Sequence, residues 1–286
     1  MPINACDCHM HVFDATAPFA AGAVLTHEAA TVAQYRRLQK RLGTTRNVVV
    51  QPSSYGTDHR VMLAALRDFG DAARGIAVVT PDTPDAELER LAASGVVGAR
   101  MNLVQRGATD IAMARPLAAR LGRLGWHLQV HMLPESFLQD VDLLLSLGID
   151  VVVDHFARVH SDAALAPLVV RAIHRLLASG RAWLKLSGAY MAVPEGGGNP
   201  GHPGHVGHLV HLEQLGDFVA SVTAQFPSRL VWGTDWPHAT EAEKPNDATL
   251  ANLLAAWIPD PAVRHQILVS NPGRLYHFDR RMLSGA

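Results

Sequence analysis

Short β-branched runs alternate with longer amphipathic runs along the 286-residue chain, and no other feature limits the fold so strongly. Strands are expected over 5–11, 47–51, 75–79, 96–101, 126–131, 150–154, 182–186 and 229–234. Helical patterns fall between them, over 31–42, 58–70, 84–94, 111–124, 135–147, 162–178 and 212–226. Several of these stop at a glycine, such as Gly43, Gly95 or Gly148. Eight strands alternating with helices is the count of a (β/α)8 TIM barrel. A doubly wound open sheet is the rival. It would usually carry a glycine-rich phosphate loop after an early strand, and no G-x-G-x-x-G is present. One barrel accounts for the length, so residues 1–286 are read as a single domain.

Composition narrows the function classes. With 48% hydrophobic and 18% charged residues, the chain can bury a core and is not disordered. A net charge of −1 with no basic block excludes the footprint of a nucleic-acid binder. No run of about 18 apolar residues marks a membrane span. The opening MPINACDCHMHVFD has neither a charged n-region nor a long apolar stretch, so no signal peptide is expected. Cys6 and Cys8 are the only cysteines and are read as reduced thiols of a cytoplasmic protein. The 16 histidines point to metal or acid–base chemistry.

In a barrel of this kind, functional residues sit at the C-terminal ends of strands. The first strand ends Asp7-Cys8-His9-Met10-His11, and alternate residues of a strand share a face. Asp7, His9 and His11 are therefore expected to point the same way. Alone, such a pair is more often two unrelated polar residues at a strand end than a site. The fifth strand ends at His131, the sixth runs into Asp154-His155, and the eighth ends Gly233-Thr234-Asp235-Trp236-Pro237-His238. His9, His11, His131, His155 and Asp235 would then converge at one mouth. Nitrogen and carboxylate donors of this kind suit Zn²⁺ or a similar divalent ion. The single aspartate is the natural acceptor of a proton from an attacking water.

The ordered motifs DCHMHVFD (7–14), NVVVQPSSYGTD (47–58), ARGIAVV (73–79), GARMNLVQR (98–106), VVVDHFAR (151–158), LVWGTDWPH (230–238) and LVSNPGRLY (268–276) span nearly the whole chain. Together they resemble the amidohydrolase superfamily, in the amidohydrolase-related branch of pyrone-dicarboxylate hydrolases, sugar-acid lactonases and zinc decarboxylases. The likeness is greatest to the hydrolase and lactonase group. It implies an amidohydrolase-type barrel that opens a lactone. It also implies that Asp235 activates water and that His9, His11 and His155 polarise the carbonyl. In the pyrone hydrolases these histidines work without a metal, and the fifth-strand position is not histidine. Here it is His131, as in the metal-dependent branches. Two versions stay open: a divalent ion, zinc first, on His9, His11, His131 and Asp235, or metal-free action.

Arg100 and Arg106 match positions that hold substrate carboxylates in the family, and guanidinium forks suit such groups. Ser53, Tyr55 and Tyr190 are expected to add hydrogen bonds to the substrate, and His238 to touch it or support the site. The pyrone hydrolases place a further arginine after the seventh strand. This chain has Tyr190 there and no arginine nearby, so a mono-acidic or neutral lactone fits at least as well as a pyrone dicarboxylate. His202, His205, His208 and His211 stand among glycines in 196–211 and are read as a solvated loop, with a lid or accessory metal site as the sharper alternative. The rival functions are a zinc-dependent decarboxylase of an unsaturated acid on the same scaffold and a catalytically silent barrel that binds a small organic acid.

Overall fold

Parallel strands cannot be joined by a tight hairpin, and in a computed structural model of the chain every strand from first to eighth is followed by a crossover or closing helix. The structure describes residues 1–105, 107–192 and 205–278, with side chains of the last stretch from 213 onward. The strands are β1 (Cys6–Met10), β2 (Arg46–Val50), β3 (Ala73–Ala77), β4 (Val96–Asn102), β5 (His127–His131), β6 (Val151–Val153), β7 (Ala182–Leu186) and β8 (Leu230–Trp232). They form one eight-stranded sheet in chain order, and each neighbouring pair from β1 to β8 is parallel. The helices are α1 (Val32–Leu42), α2 (Arg60–Phe69), α3 (Asp85–Ala93), α4 (Ala114–Arg123), α5 (Pro134–Ser146), α6 (Ala166–Ala178), α7 (His205–Gln225) and α8 (Asp247–Trp257). This is the (β/α)8 barrel that the alternation predicts.

The barrel closes just beyond β8. Asp235 N donates to His9 O at 2.8 Å, and His11 N donates to Trp236 O at 2.8 Å. Inside it, Cys6, Cys8, Val48, Val50, Ile76, Val152, Trp183 and Val231 pack together, with Tyr276 against them. Both cysteines are free and buried, and burial pushes the Cys6 thiol well up, which disfavours its reactive thiolate. A second layer of Leu, Val and Ala fills the space between the strands and helices.

Local signals place the helices. α1 starts at a capping box: Thr31 Oγ1 accepts from Gln34 N, and Gln34 Oε1 accepts from Thr31 N. Such a cap is worth about 1 kcal/mol. α7 starts at His205, not at 212 as the pattern predicts. The Gly/His stretch is thus partly helical in backbone, while His202 and the side chains of His205, His208 and His211 lie outside the described residues. No helix among the described residues is long and apolar enough to cross a membrane.

Candidate active site

His9 and His11 enter the barrel because β1 departs from strict alternation. The register against β2 shifts between Asp7 and Met10. Cys6 and Cys8 already face the interior, and the shift brings His9 onto the same side. Asp7 therefore does not share a face with the histidines, contrary to the simple period-two expectation. Its carboxylate accepts from Tyr35 of α1 at 2.8 Å and from Thr234 N and Oγ1 at 2.9 and 2.6 Å, tying helix, β1 and β8 together. Burial still pushes this carboxyl up to about 6 against those bonds. The bulge also requires Gly233, because a Cβ there would lie 2.7 Å from both His9 N and His9 Cβ.

Four side chains meet at the mouth. His9 Nε2 lies 3.3 Å from His11 Nε2 and 3.3 Å from Asp235 Oδ1. His11 Nε2 and His155 Nε2 lie 3.5 and 3.9 Å from the same oxygen. His155 is carried on an unusual turn: residues 155–158 all have φ between 52° and 54°. Left-handed backbone costs L-residues roughly 1–2 kcal/mol each, and such strain concentrates at functional sites. Gly188 makes room for it, since a Cβ there would stand 2.9 Å from His155 Nδ1. Ser187 Oγ fixes that nitrogen at 3.0 Å.

Beneath this group lies a fully buried ion cluster. Lys185 Nζ is 3.1 Å from Asp154 Oδ1, 2.8 Å from Gln129 Oε1 and 3.2 Å from His9 Nδ1. Asp154 Oδ1 also lies 3.4 Å from His9 Nδ1. Burial, then Lys185, holds His9 well below the usual imidazole range, and burial also lowers His155. Burial pushes the Asp235 carboxyl up, but His155, His11 and His9 together outweigh it and keep it well below the carboxylate range. The mouth thus pairs a carboxylate held in its ionised form with His9 and His155, whose burial disfavours the protonated ring, a setting that suits a metal ion or a general base.

The His9, His11 and Asp235 donors could hold an ion. Tetrahedral ligands about 2.05 Å from zinc stand roughly 3.3 Å apart, close to the separations here. His11 Nδ1 faces Val50 O at 2.8 Å, so it carries the proton and Nε2 offers a lone pair. His9 Nδ1 sits between an ammonium donor and a carboxylate acceptor, so either of its tautomers has a partner. His131, the fourth ligand of the sequence-based expectation, is not within this close group of donors. The His131 ring meets that of His155, with centroids 4.7 Å apart.

His131 and Arg100 line a narrow cavity of about 40 Å³ with Ser53, Asn102, Gln105, His155 and Asp235. Neither His131 nitrogen has a hydrogen-bond partner, and Arg100 Nε, also without one, lies 3.9 Å from Asp154 Oδ2. Arg100 Nη1 donates to Gln51 O at 3.2 Å. Ser53 accepts from Asn102 Nδ2 at 2.9 Å. Three of the expected substrate contacts already have partners within the protein. The Tyr55 hydroxyl is held by Asp14, accepting from its N at 3.0 Å, while its ring stacks on Phe19. Tyr190 donates to Asp235 Oδ2 at 2.5 Å, and His238 lies behind it, 3.1 Å from the phenol. Arg106 lies outside the described residues. A larger cavity of about 380 Å³ opens at the barrel's other end, but it lacks the carboxylate–imidazole group, so chemistry rather than volume selects the mouth.

Sequence reasoning passed over Asn102, Gln129 and Asp154 as functional groups. Their inward placement follows from β4–β6 register and was in principle readable from period-two counting back from His131.

The amidohydrolase family model matches residues 6–278. The chain belongs to the amidohydrolase family. This amidohydrolase is 33% identical to a 2-pyrone-4,6-dicarboxylate hydrolase of Comamonas testosteroni, over 96% of this chain and 91% of that one. It is 31% identical to a 4-sulfomuconolactone hydrolase of Rhizobium radiobacter, with the same two coverages of 96% and 91%. Among solved structures, a probable 2-pyrone-4,6-dicarboxylic acid hydrolase of Acinetobacter baumannii with citric acid bound superposes with a TM-score of 0.80 at 26% identity, covering 96% of this chain and all of the other (100%).

Proposed function

We propose that this amidohydrolase, acting as one barrel domain, hydrolyses a small lactone that carries a single acidic group. The observation that carries the reading is the buried, ionised Asp235. Its Oδ1 faces three imidazoles, and its Oδ2 is occupied by Tyr190. The two lactone hydrolases among its relatives support the reaction class. Arg100 lines the cavity, and the stretch after β7 carries Tyr190 and no arginine, which favours one substrate carboxylate over two.

Asp235 Oδ1 takes a proton from water as the water oxygen bonds to the lactone carbonyl carbon. The carbonyl oxygen gains charge and needs donors in a dry site. With Lys185 donating into His9 Nδ1, His9 presents Nε2–H toward the mouth. The ring C–O bond then breaks, and Asp235 returns its proton to the leaving oxygen, giving a hydroxy acid. Both halves stay attached, so no leaving-group pocket is needed. In the other tautomer, with His9 Nδ1–H turned to Asp154, Nε2 offers a lone pair, and His9, His11 and Asp235 would hold a zinc ion that would supply Lewis-acid polarisation of the same carbonyl.

The test is a panel of mono- and dicarboxylated lactones followed by acid release, with and without a chelator. Asp235→Asn should lose about 10²–10⁴-fold in rate, the usual worth of a positioned general base. A variant that retains the wild-type rate would refute this role. Release of carbon dioxide from an unsaturated acid, abolished by chelation, would replace the reading with decarboxylation.

A further inference from the structure

We propose that Asp247, in the first turn of α8, is a positioning residue for Asp235, acting through His238 and Tyr190. The inference rests on Asp235 as the base. Asp247 Oδ1 lies 2.9 Å from His238 Nε2. His238 Nδ1 lies 3.1 Å from the Tyr190 hydroxyl, which donates to Asp235 Oδ2 at 2.5 Å. One chain of contacts thus runs from a partly exposed helix start to the sealed carboxylate. His238 is 2% exposed, so this arrangement is internal rather than a surface coincidence.

A carboxylate has two chemically equal oxygens and can turn about its last torsion. A base that must meet a water at one defined point needs one oxygen fixed. Tyr190 fixes Oδ2 and leaves Oδ1 toward the imidazoles. The backbone around it also needs holding, because Asp235 and His238 both have left-handed φ, 65° and 59°. Lys244 Nζ supports the segment by donating to His238 O at 3.0 Å. α8 has its own cap in Asn246, whose side chain accepts from Ala248 N at 2.9 Å. Asp247 is therefore not needed as the cap, and its carboxylate points at His238 instead.

The experiment combines kinetics of Asp247→Ala, Asp247→Glu, Tyr190→Phe and the Asp247→Ala/Tyr190→Phe double variant with proton NMR of the resting protein. Asp247→Ala should lower kcat about tenfold, the size of one lost hydrogen bond, with KM within about twofold. Asp247→Glu should restore most of the rate. In the double variant the Asp247 effect should largely vanish, because both act through one path. The short Tyr190–Asp235 hydrogen bond should give a strongly downfield hydroxyl proton, absent in Tyr190→Phe and broadened or shifted in Asp247→Ala. An unchanged kcat and resonance in Asp247→Ala, or losses that multiply in the double variant, would overturn the proposal. The resonance needs no substrate, so failure to find any lactone turned over would strike the hydrolase reading and leave this one to be judged by NMR.

Discussion

His127 and His131 stand on one strand, on the same interior face and four residues apart, and only one belongs to the candidate site. Both are buried, at 3% and 6% exposure, and each has a ring nitrogen without a hydrogen-bond partner. His127 Nε2 is pressed against Gly98, where a Cβ would come within 2.7 Å, and its ring meets Tyr276 edge-on. His131 instead borders the mouth cavity beside Arg100 and Asp235. A buried imidazole with a spare nitrogen is thus not in itself a functional signature. What the nitrogen faces decides, and that depends on height along the barrel axis.

The ion cluster between these two heights offers the severest test of the contrast. Lys185 and Asp154 are both fully buried, and removing one member of such a pair costs about 3–5 kcal/mol. Lys185→Met should therefore lower the denaturant-derived stability by that amount. A loss below about 1 kcal/mol would mean that the cluster does not hold the mouth in place. Next in size is His131→Gln. If its free nitrogen donates to a charged substrate group, the lost bond is worth about 1.5–3 kcal/mol, or roughly 10–150-fold in kcat/KM. His127→Gln should leave kcat/KM within about twofold, since it touches only packing. Equal kinetic losses in the two variants would erase the distinction between the two ends.

Much of this was legible in the chain itself, and the reasons for the exceptions are physical. The strands declared themselves because each is a short apolar run bounded by turn residues. His9, His11, His155 and Asp235 could be found because strand ends are countable. The shift between Asp7 and Met10 was not legible, because a bulge is set by pairing with β2 and β8 rather than by local composition. Nor was the left-handed turn at His155–Arg158, whose residues include no glycine to announce it. Tyr190 and His238 were recognisable as mouth residues, but their engagement with Asp235 depends on how two loops meet in space.

The smallest and most specific test is a pH profile of stability. His127 is pushed down to about 3 by burial and then by Lys185, against an unfolded value of about 6.5. Below pH 6.5 the unfolded chain binds a proton there and the folded chain does not. His127 therefore adds stability that is present above 6.5 and is lost as pH falls toward 3. Asp7 works the other way. Its carboxyl is raised to about 6 in the fold, against about 3.9 unfolded, so its contribution weakens as pH rises through that window. Between about pH 4 and 6 each group shifts the slope by nearly one proton, or about 1.4 kcal/mol per pH unit, with opposite signs. Relative to wild type, a His127→Gln profile should tilt toward lower stability at higher pH, and an Asp7→Asn profile should tilt toward higher. Urea titrations at three pH values in that window measure both tilts. Two variant profiles parallel to wild type would show that neither group is titrated by the fold, and that the contrast between the barrel's two ends does not extend to their protons.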